Sequence, residues 1–210
     1  MSFHLPQIYP ITDTALSSLS HAEQVKHLIA GGATFIQLRE KNNSLRAFFS
    51  DAAEAIRIAR LAGANVIIND RVDVALALEA DGIHLGQTDM PVTAARRLLG
   101  KDAIIGLSTH NIEQVKAALD LPINYLAFGP IFPTHSKRNP DPIAGLDALG
   151  VIKTLSGFLP VVAIGGINES NVVRVWSAGA DSAAIISAII GRPDQIAQNV
   201  RDFLTLTAVQ

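Results

Sequence analysis

The feature that most limits what this chain can become is an alternation of short apolar runs, each ending on polar side chains, with helical patterns. Strand patterns fall at 7–11, 34–38, 66–68, 82–85, 103–107, 125–128, 161–164 and 182–186. Helical patterns follow them at 20–30, 45–62, 72–79, 91–99, 111–119, 146–155, 169–178 and 193–206. Gly31-Gly32 and Gly63 stop the first two helices, and Pro91 suits a first helical position. The unit repeats about eight times at a spacing of about 25 residues, which predicts an α/β fold, a single-domain (β/α)8 TIM barrel over residues 1–210. An open doubly wound sheet is the competitor. It usually has fewer strands and a glycine-rich first turn, whereas Thr12-Asp13-Thr14 stands there in this chain.

Bulk properties narrow the function classes. A chain of 210 residues buries one core well and has little room for two domains. Hydrophobic residues at 49% and a mean hydropathy of +0.29 suit strands covered on both faces. A net charge of −2 argues against a broad nucleic-acid-binding face. The absence of cysteine excludes disulfides, thiolate metal sites and thiol nucleophiles, and is compatible with a reducing cytoplasm. Residues 1–6 carry neither a basic region nor an apolar run of signal length, and no stretch is long enough to span a bilayer. The expectation is a cytoplasmic protein acting on small molecules. No long exposed apolar stripe marks a partner surface, which leaves a homo-oligomer open.

In such a barrel, strand C-termini and the loops after them share one mouth, where function collects. Val66 to Asp70, Val-Ile-Ile-Asn-Asp, is the sharpest case: a buried strand that stops on an amide and a carboxylate. The structural alternative is that Asn69 and Asp70 only cap the next helix. The mouth residues are then Gln37, Arg39 and Lys41; Asn69 and Asp70; His84, Gln87 and Asp89; Ser108, Thr109 and His110; Thr134, Ser136 and Lys137; Gly165-Gly166; and Ser187.

Asp70 and Asp89 sit on adjacent strand ends, so both can approach one cation, and Mg²⁺ accepts one or two carboxylates beside water and phosphate oxygens. Arg39, Lys41 and Lys137 add the positive charge that a diphosphate needs, although Arg39-Glu40-Lys41 alone reads equally as a solvated turn. Gly165-Gly166 before a helix, with Ser187 after the last strand, is the address of a phosphate site in such barrels. The stretch 129–143, with four prolines, is too long for a simple connector and suits a binding loop. His84 reads either as a structural imidazole or as a substrate contact, and His110 as a helix-start residue or an acid/base. No histidine pair has metal-ligand spacing.

Several motifs are familiar together: Tyr-Pro-Ile-Thr-Asp at 9–13, Gln-Leu-Arg-Glu-Lys at 37–41, Asn-Asp-Arg at 69–71 and Asp-Gly-Ile-His-Leu-Gly-Gln-Thr-Asp at 81–89. Gly-Leu-Ser-Thr-His at 106–110, Gly-Pro-Ile-Phe-Pro-Thr-His-Ser-Lys at 129–137, Ala-Ile-Gly-Gly-Ile at 163–167 and Ile-Ser-Ala-Ile at 186–189 continue the series. With them the chain resembles the thiamine-phosphate synthase family from end to end. The resemblance implies a (β/α)8 transferase joining an aminopyrimidine methyl diphosphate to a thiazole phosphate, with thiamine monophosphate and diphosphate as products. It also implies that Gln37, Leu38, Arg39, Glu40, Lys41, Asn69, Ser108 and Lys137 bind the pyrimidine diphosphate, Arg39, Lys41 and Lys137 being catalytic. Asp70 and Asp89 would carry Mg²⁺, and Thr134, His135, Ser136, Gly166, Ile186 and Ser187 would seat the thiazole phosphate. Ser136 departs from the threonine expected there and keeps the hydroxyl. The segment before the first strand is short, so any flap there is reduced.

Two rivals remain. A thiazole tautomerase-like isomerase would use the same barrel, with His110 as acid/base, but has no use for the acidic pair and three cations. A non-catalytic phosphate-ligand sensor would need none of the chemical residues.

Overall fold

The computed structural model describes residues 5–134 and 141–207. Eight parallel strands close into a barrel in sequence order: β1 (Ile8–Thr12), β2 (Phe35–Leu38), β3 (Asn65–Asn69), β4 (Gly82–Leu85), β5 (Ile104–Thr109), β6 (Tyr125–Phe128), β7 (Val161–Ile164) and β8 (Ser182–Ile185). Helices α1 (Thr14–Ser17), α2 (His21–Gly31), α3 (Leu45–Leu61), α4 (Val72–Ala77), α5 (Val92–Leu99), α6 (Ile112–Ala118), α7 (Gly145–Ser156), α8 (Val172–Ser177), α9 (Ser187–Ile190) and α10 (Ile196–Thr207) lie along and after them.

Strand residues alternate between two cores, because successive side chains leave a strand on opposite faces. Tyr9, Ile11, Phe35, Ile67, Tyr125, Ala127, Val162 and Ala184 fill the barrel interior. Ile36, Leu38, Val66, Ile68, Ile83 and Leu126, with their counterparts on other strands, pack outward against the helices. Inward positions nearer the mouth turn polar: Gln37, Asn69 and His84 are all buried. The register pairs Asn69 with His84, His84 with Gly106, and Gly106 with Tyr125. Glycine is required at 106, since a Cβ there would lie 2.1 Å from Tyr125 Cζ. Its absence lets the Tyr125 ring cross the barrel beneath the mouth.

The structure differs from the sequence expectations at several element ends. The short helices α1 and α9 were not anticipated, because four residues are too few to show a helical period. β5 runs on to Thr109, so Ser108 and Thr109 belong to the strand rather than its loop. α8 begins at Val172, three residues later than the pattern suggested, after a turn in which Asn171 Oδ1 accepts from the Asn168 backbone N–H at 2.8 Å. Pro91 is the cap of α5 rather than its first residue, and a 3₁₀ turn, Pro193–Gln195, precedes α10. Among the described residues no helix is long and apolar enough to cross a membrane.

Candidate active site

A cleft of about 540 Å³ opens at the C-terminal end of the barrel. Its two sides are built differently. On one side the loops after β2, β3 and β4 bring charges together. Lys41 Nζ pairs with Asp70 Oδ2. Arg39 Nη1 donates to Asp13 Oδ2 at 2.5 Å, and the other oxygen of Asp13 caps α1 by accepting from the N–H groups of Ala15 and Leu16. Asp13 therefore sets the direction of Arg39 through a helix end that the sequence did not reveal.

Asp70 does not cap α4. The cap is Arg71, whose side chain makes no capping bond, and Asp70 itself sits in the left-handed region at φ +62°. Asp tolerates that conformation better than most residues, and the turn directs its carboxylate to the cleft. Asp89 Oδ2 accepts from the Gly86 N–H at 2.6 Å. Burial pushes the Asp89 carboxyl above its ordinary value, the Gly86 N–H opposes this, and the neighbouring Asp70 carboxyl raises it further. The two carboxyl groups thus face the same cleft, near enough to act on each other. Their mutual repulsion is what a divalent cation relieves, so this donor set fits a hard cation such as Mg²⁺. No group of three or more His, Asp or Glu side chains is placed to hold a metal among the described residues, so most remaining ligands would be water or substrate oxygens.

The opposite side, after β7 and β8, is built from backbone and small side chains. Gly165 and Gly166, both with positive φ, line the cleft beside Ile186 and Ser187. Backbone packs closely here: a Cβ on Gly166 would lie 2.4 Å from the Pro133 carbonyl oxygen. Ser187 opens α9 directly at the rim. Thr134 lines the same side, while His135, Ser136 and Lys137 lie outside the described residues.

Between the two sides the floor is polar and buried. Gln37 Nε2 donates to Tyr9 Oη at 2.9 Å; the Tyr9 and Tyr125 hydroxyls meet at 3.0 Å; Tyr125 Oη lies 3.0 Å from His84 Nδ1; and His84 Nε2 lies 2.8 Å from Ser108 Oγ. Burial lowers the His84 pKa to about 4, so the ring is neutral near pH 7. His110 Nδ1 lies 2.7 Å from the Gly129 carbonyl oxygen and its Nε2 3.5 Å from Asp141.

The cleft gathers Gln37, Arg39, Lys41, Asn69, Asp70, His84, Gln87, Asp89, Ser108, His110, Thr134, Gly166, Ile186 and Ser187 of the expected residues. Three side chains turn elsewhere. Leu38 is fully buried in the layer between barrel and helices, because it alternates with the inward Gln37. Thr109 is fully buried and donates to the Ala127 carbonyl oxygen at 2.9 Å. Glu40 accepts from Thr14 Oγ1 at 2.8 Å and from the N–H groups of Asn42 and Asn43 at 2.7 and 3.0 Å. Burial would raise its carboxyl, but these donors outweigh it and hold the pKa at about 2. Glu40 is therefore a brace for the loop that carries Arg39 and Lys41. Sequence reasoning missed Asp13, Tyr9 and Tyr125. The tyrosines left a usable signal, being the only two in the chain and both at inward strand positions.

A parallel barrel whose mouth sets paired carboxylates and cations against glycine backbone defines the class of (β/α)8 enzymes that act on phosphate-bearing small molecules. A sequence model of the family described as thiamine monophosphate synthase matches residues 8–189. The chain belongs to the thiamine monophosphate synthase family. It is 43% identical over 204 residues to the thiamine-phosphate synthase of Chloroflexus aurantiacus, covering 96% of this chain and 94% of that one. It is 44% identical over 188 residues to that of Methanocella arvoryzae, covering 89% and 88%. The solved structure of thiamine phosphate pyrophosphorylase from Pyrococcus furiosus superposes with a TM-score of 0.86 at 35% identity, covering 97% of this chain and 96% of that one.

Proposed function

We propose that this protein condenses 4-amino-2-methyl-5-(diphosphooxymethyl)pyrimidine with thiazole phosphate to give thiamine monophosphate and diphosphate. The observation that carries the reading is the gathering of the Lys41–Asp70 pair, Asp89 and Arg39 on one side of the cleft, opposite a glycine-lined side. The relatives' names give it independent support.

The chemistry follows from what each side offers. Breaking the C–O bond between the pyrimidine methylene and the diphosphate leaves a cation on carbon, delocalised by the electron-rich aminopyrimidine, and new negative charge on the leaving group. Arg39 and Lys41 stabilise that charge electrostatically. Lys137, by resemblance alone, shares the task. Mg²⁺ held by Asp70 and Asp89 would supply the remaining neutralisation. The thiazole nitrogen donates its electron pair to the cation, and no protein nucleophile is needed. Gly166, Ile186 and Ser187, with Thr134, His135 and Ser136, hold the thiazole phosphate so that its nitrogen meets the methylene carbon. Gln37, Asn69 and Ser108 orient the pyrimidine. Within this reading the protein works in the cytoplasm on small molecules and not on nucleic acid, as a monomer or a homo-oligomer.

The test is a two-substrate assay with release of diphosphate monitored. Stoichiometric thiamine monophosphate and diphosphate, abolished by EDTA and restored by Mg²⁺, are expected. Isomerisation of a thiazole phosphate without diphosphate release would replace the reading with the isomerase, and ligand binding without turnover would replace it with the sensor.

A further inference from the structure

The buried floor of the cleft contains more hydrogen-bonding capacity than strand packing needs. Tyr9, Tyr125, Gln37 and His84 are all nearly inaccessible, yet they form one unbroken chain to Ser108 on the far wall. Two phenols and an imidazole inside an apolar barrel are costly unless every proton has an acceptor. That requirement gives the chain a direction.

The Gln37 amide nitrogen has no lone pair to offer, so Tyr9 Oη accepts from it and directs its own proton to Tyr125 Oη. The Tyr125 proton then points to His84 Nδ1. A neutral imidazole has one donor and one acceptor nitrogen. With Nδ1 accepting, Nε2 carries the proton and donates it to Ser108 Oγ. The Ser108 hydroxyl proton is left to point into the cleft.

We propose that Gln37, Tyr9, Tyr125, His84 and Ser108 form a directional hydrogen-bond relay that fixes the Ser108 hydroxyl as a donor to the bound ligand. Tyr9, Tyr125 and His84 are then positioning residues that act through Ser108. Reversing the relay would make Ser108 donate to His84 and present only lone pairs to the cleft, which suits an electron-poor ligand atom instead. The Tyr125 ring is held for this role by Gly106, and it stacks on His84 with ring centroids 5.6 Å apart. The kinetic part of the test rests on the synthase reading; the spectroscopic part does not.

In protein labelled with ¹⁵N-histidine, His84 is expected as the Nε2–H tautomer with bare Nδ1, its signal assigned by loss in His84→Gln. An Nδ1–H tautomer overturns the direction, whatever the enzyme makes. Tyr125→Phe keeps the ring and removes the link; it is expected to lower kcat about tenfold while moving either KM less than about threefold. In a Ser108→Ala background the same substitution is expected to have no further effect. An equal fold loss in both backgrounds, or no loss with Ser108 present, overturns the relay. Tyr9→Phe, which leaves the Tyr125–His84 bond, is expected to lose less and to show the same dependence on Ser108; it decides the matter should Tyr125→Phe fold poorly.

Discussion

The two sides of the mouth hold their functional groups by opposite means. After β2, β3 and β4 the groups are charged side chains, each oriented by another side chain: Asp13 holds Arg39, Asp70 holds Lys41, and Glu40 ties down the loop between them. After β7 and β8 the groups are backbone and small side chains, shaped by positive-φ glycines and close chain packing. In the proposed reaction the difference has a reason. A departing diphosphate gains charge in the transition state and calls for preorganised countercharge, whereas the phosphate group of the thiazole substrate takes no part in the bond change and needs only a seat.

The largest effect should come from the charged side. Replacing Asp70 and Asp89 together by Ala is expected to lower kcat by about 10³-fold or more and to remove the dependence on added Mg²⁺. Full-rate product formation by that double variant would break the comparison, since the acidic pair would then have no part in the leaving-group chemistry. Gly166→Ala tests the opposite side. The added Cβ meets the Pro133 carbonyl oxygen and enforces a strained φ of +65°, so KM for the thiazole phosphate is expected to rise about tenfold with KM for the pyrimidine diphosphate little changed. A rise confined to the pyrimidine substrate would exchange the two subsites.

The smallest effect concerns the brace. Because the Glu40 pKa is depressed in the fold, its stabilisation is fully present above the ordinary value of 4.5 and is lost as pH falls toward about 2. Glu40→Gln is expected to flatten the acid-side decline in unfolding free energy over that window, measured by denaturant titration, with a modest fall in kcat near neutrality. An unchanged acid profile would mean that the loop after β2 is held by packing rather than by this carboxylate.

Legibility in the sequence followed the range of the forces involved. Apolar periodicity is local, so the order of strands and helices, the closed barrel and the polar character of the strand ends could all be read from neighbouring residues. Strand C-termini of a closed barrel share one mouth, which made Gln37, Asn69, His84 and Ser108 readable as one set. Alternation along the strand already turns the Leu38 side chain outward, since adjacent residues face opposite ways. Short helices such as α1 and α9 left no period to detect.

What the sequence determined by itself was the barrel and the list of groups at its rim, because burial of alternating apolar faces admits few other arrangements of these segments. Only the tertiary structure decided where those groups point. Asp70 faces the cleft near Asp89 and not a helix end, Glu40 turns away from the cleft, and the hydroxyls of Tyr9 and Tyr125 meet across 116 residues of chain. Each of these depends on a partner supplied by another strand or loop, and such pairings exist only once the barrel has closed.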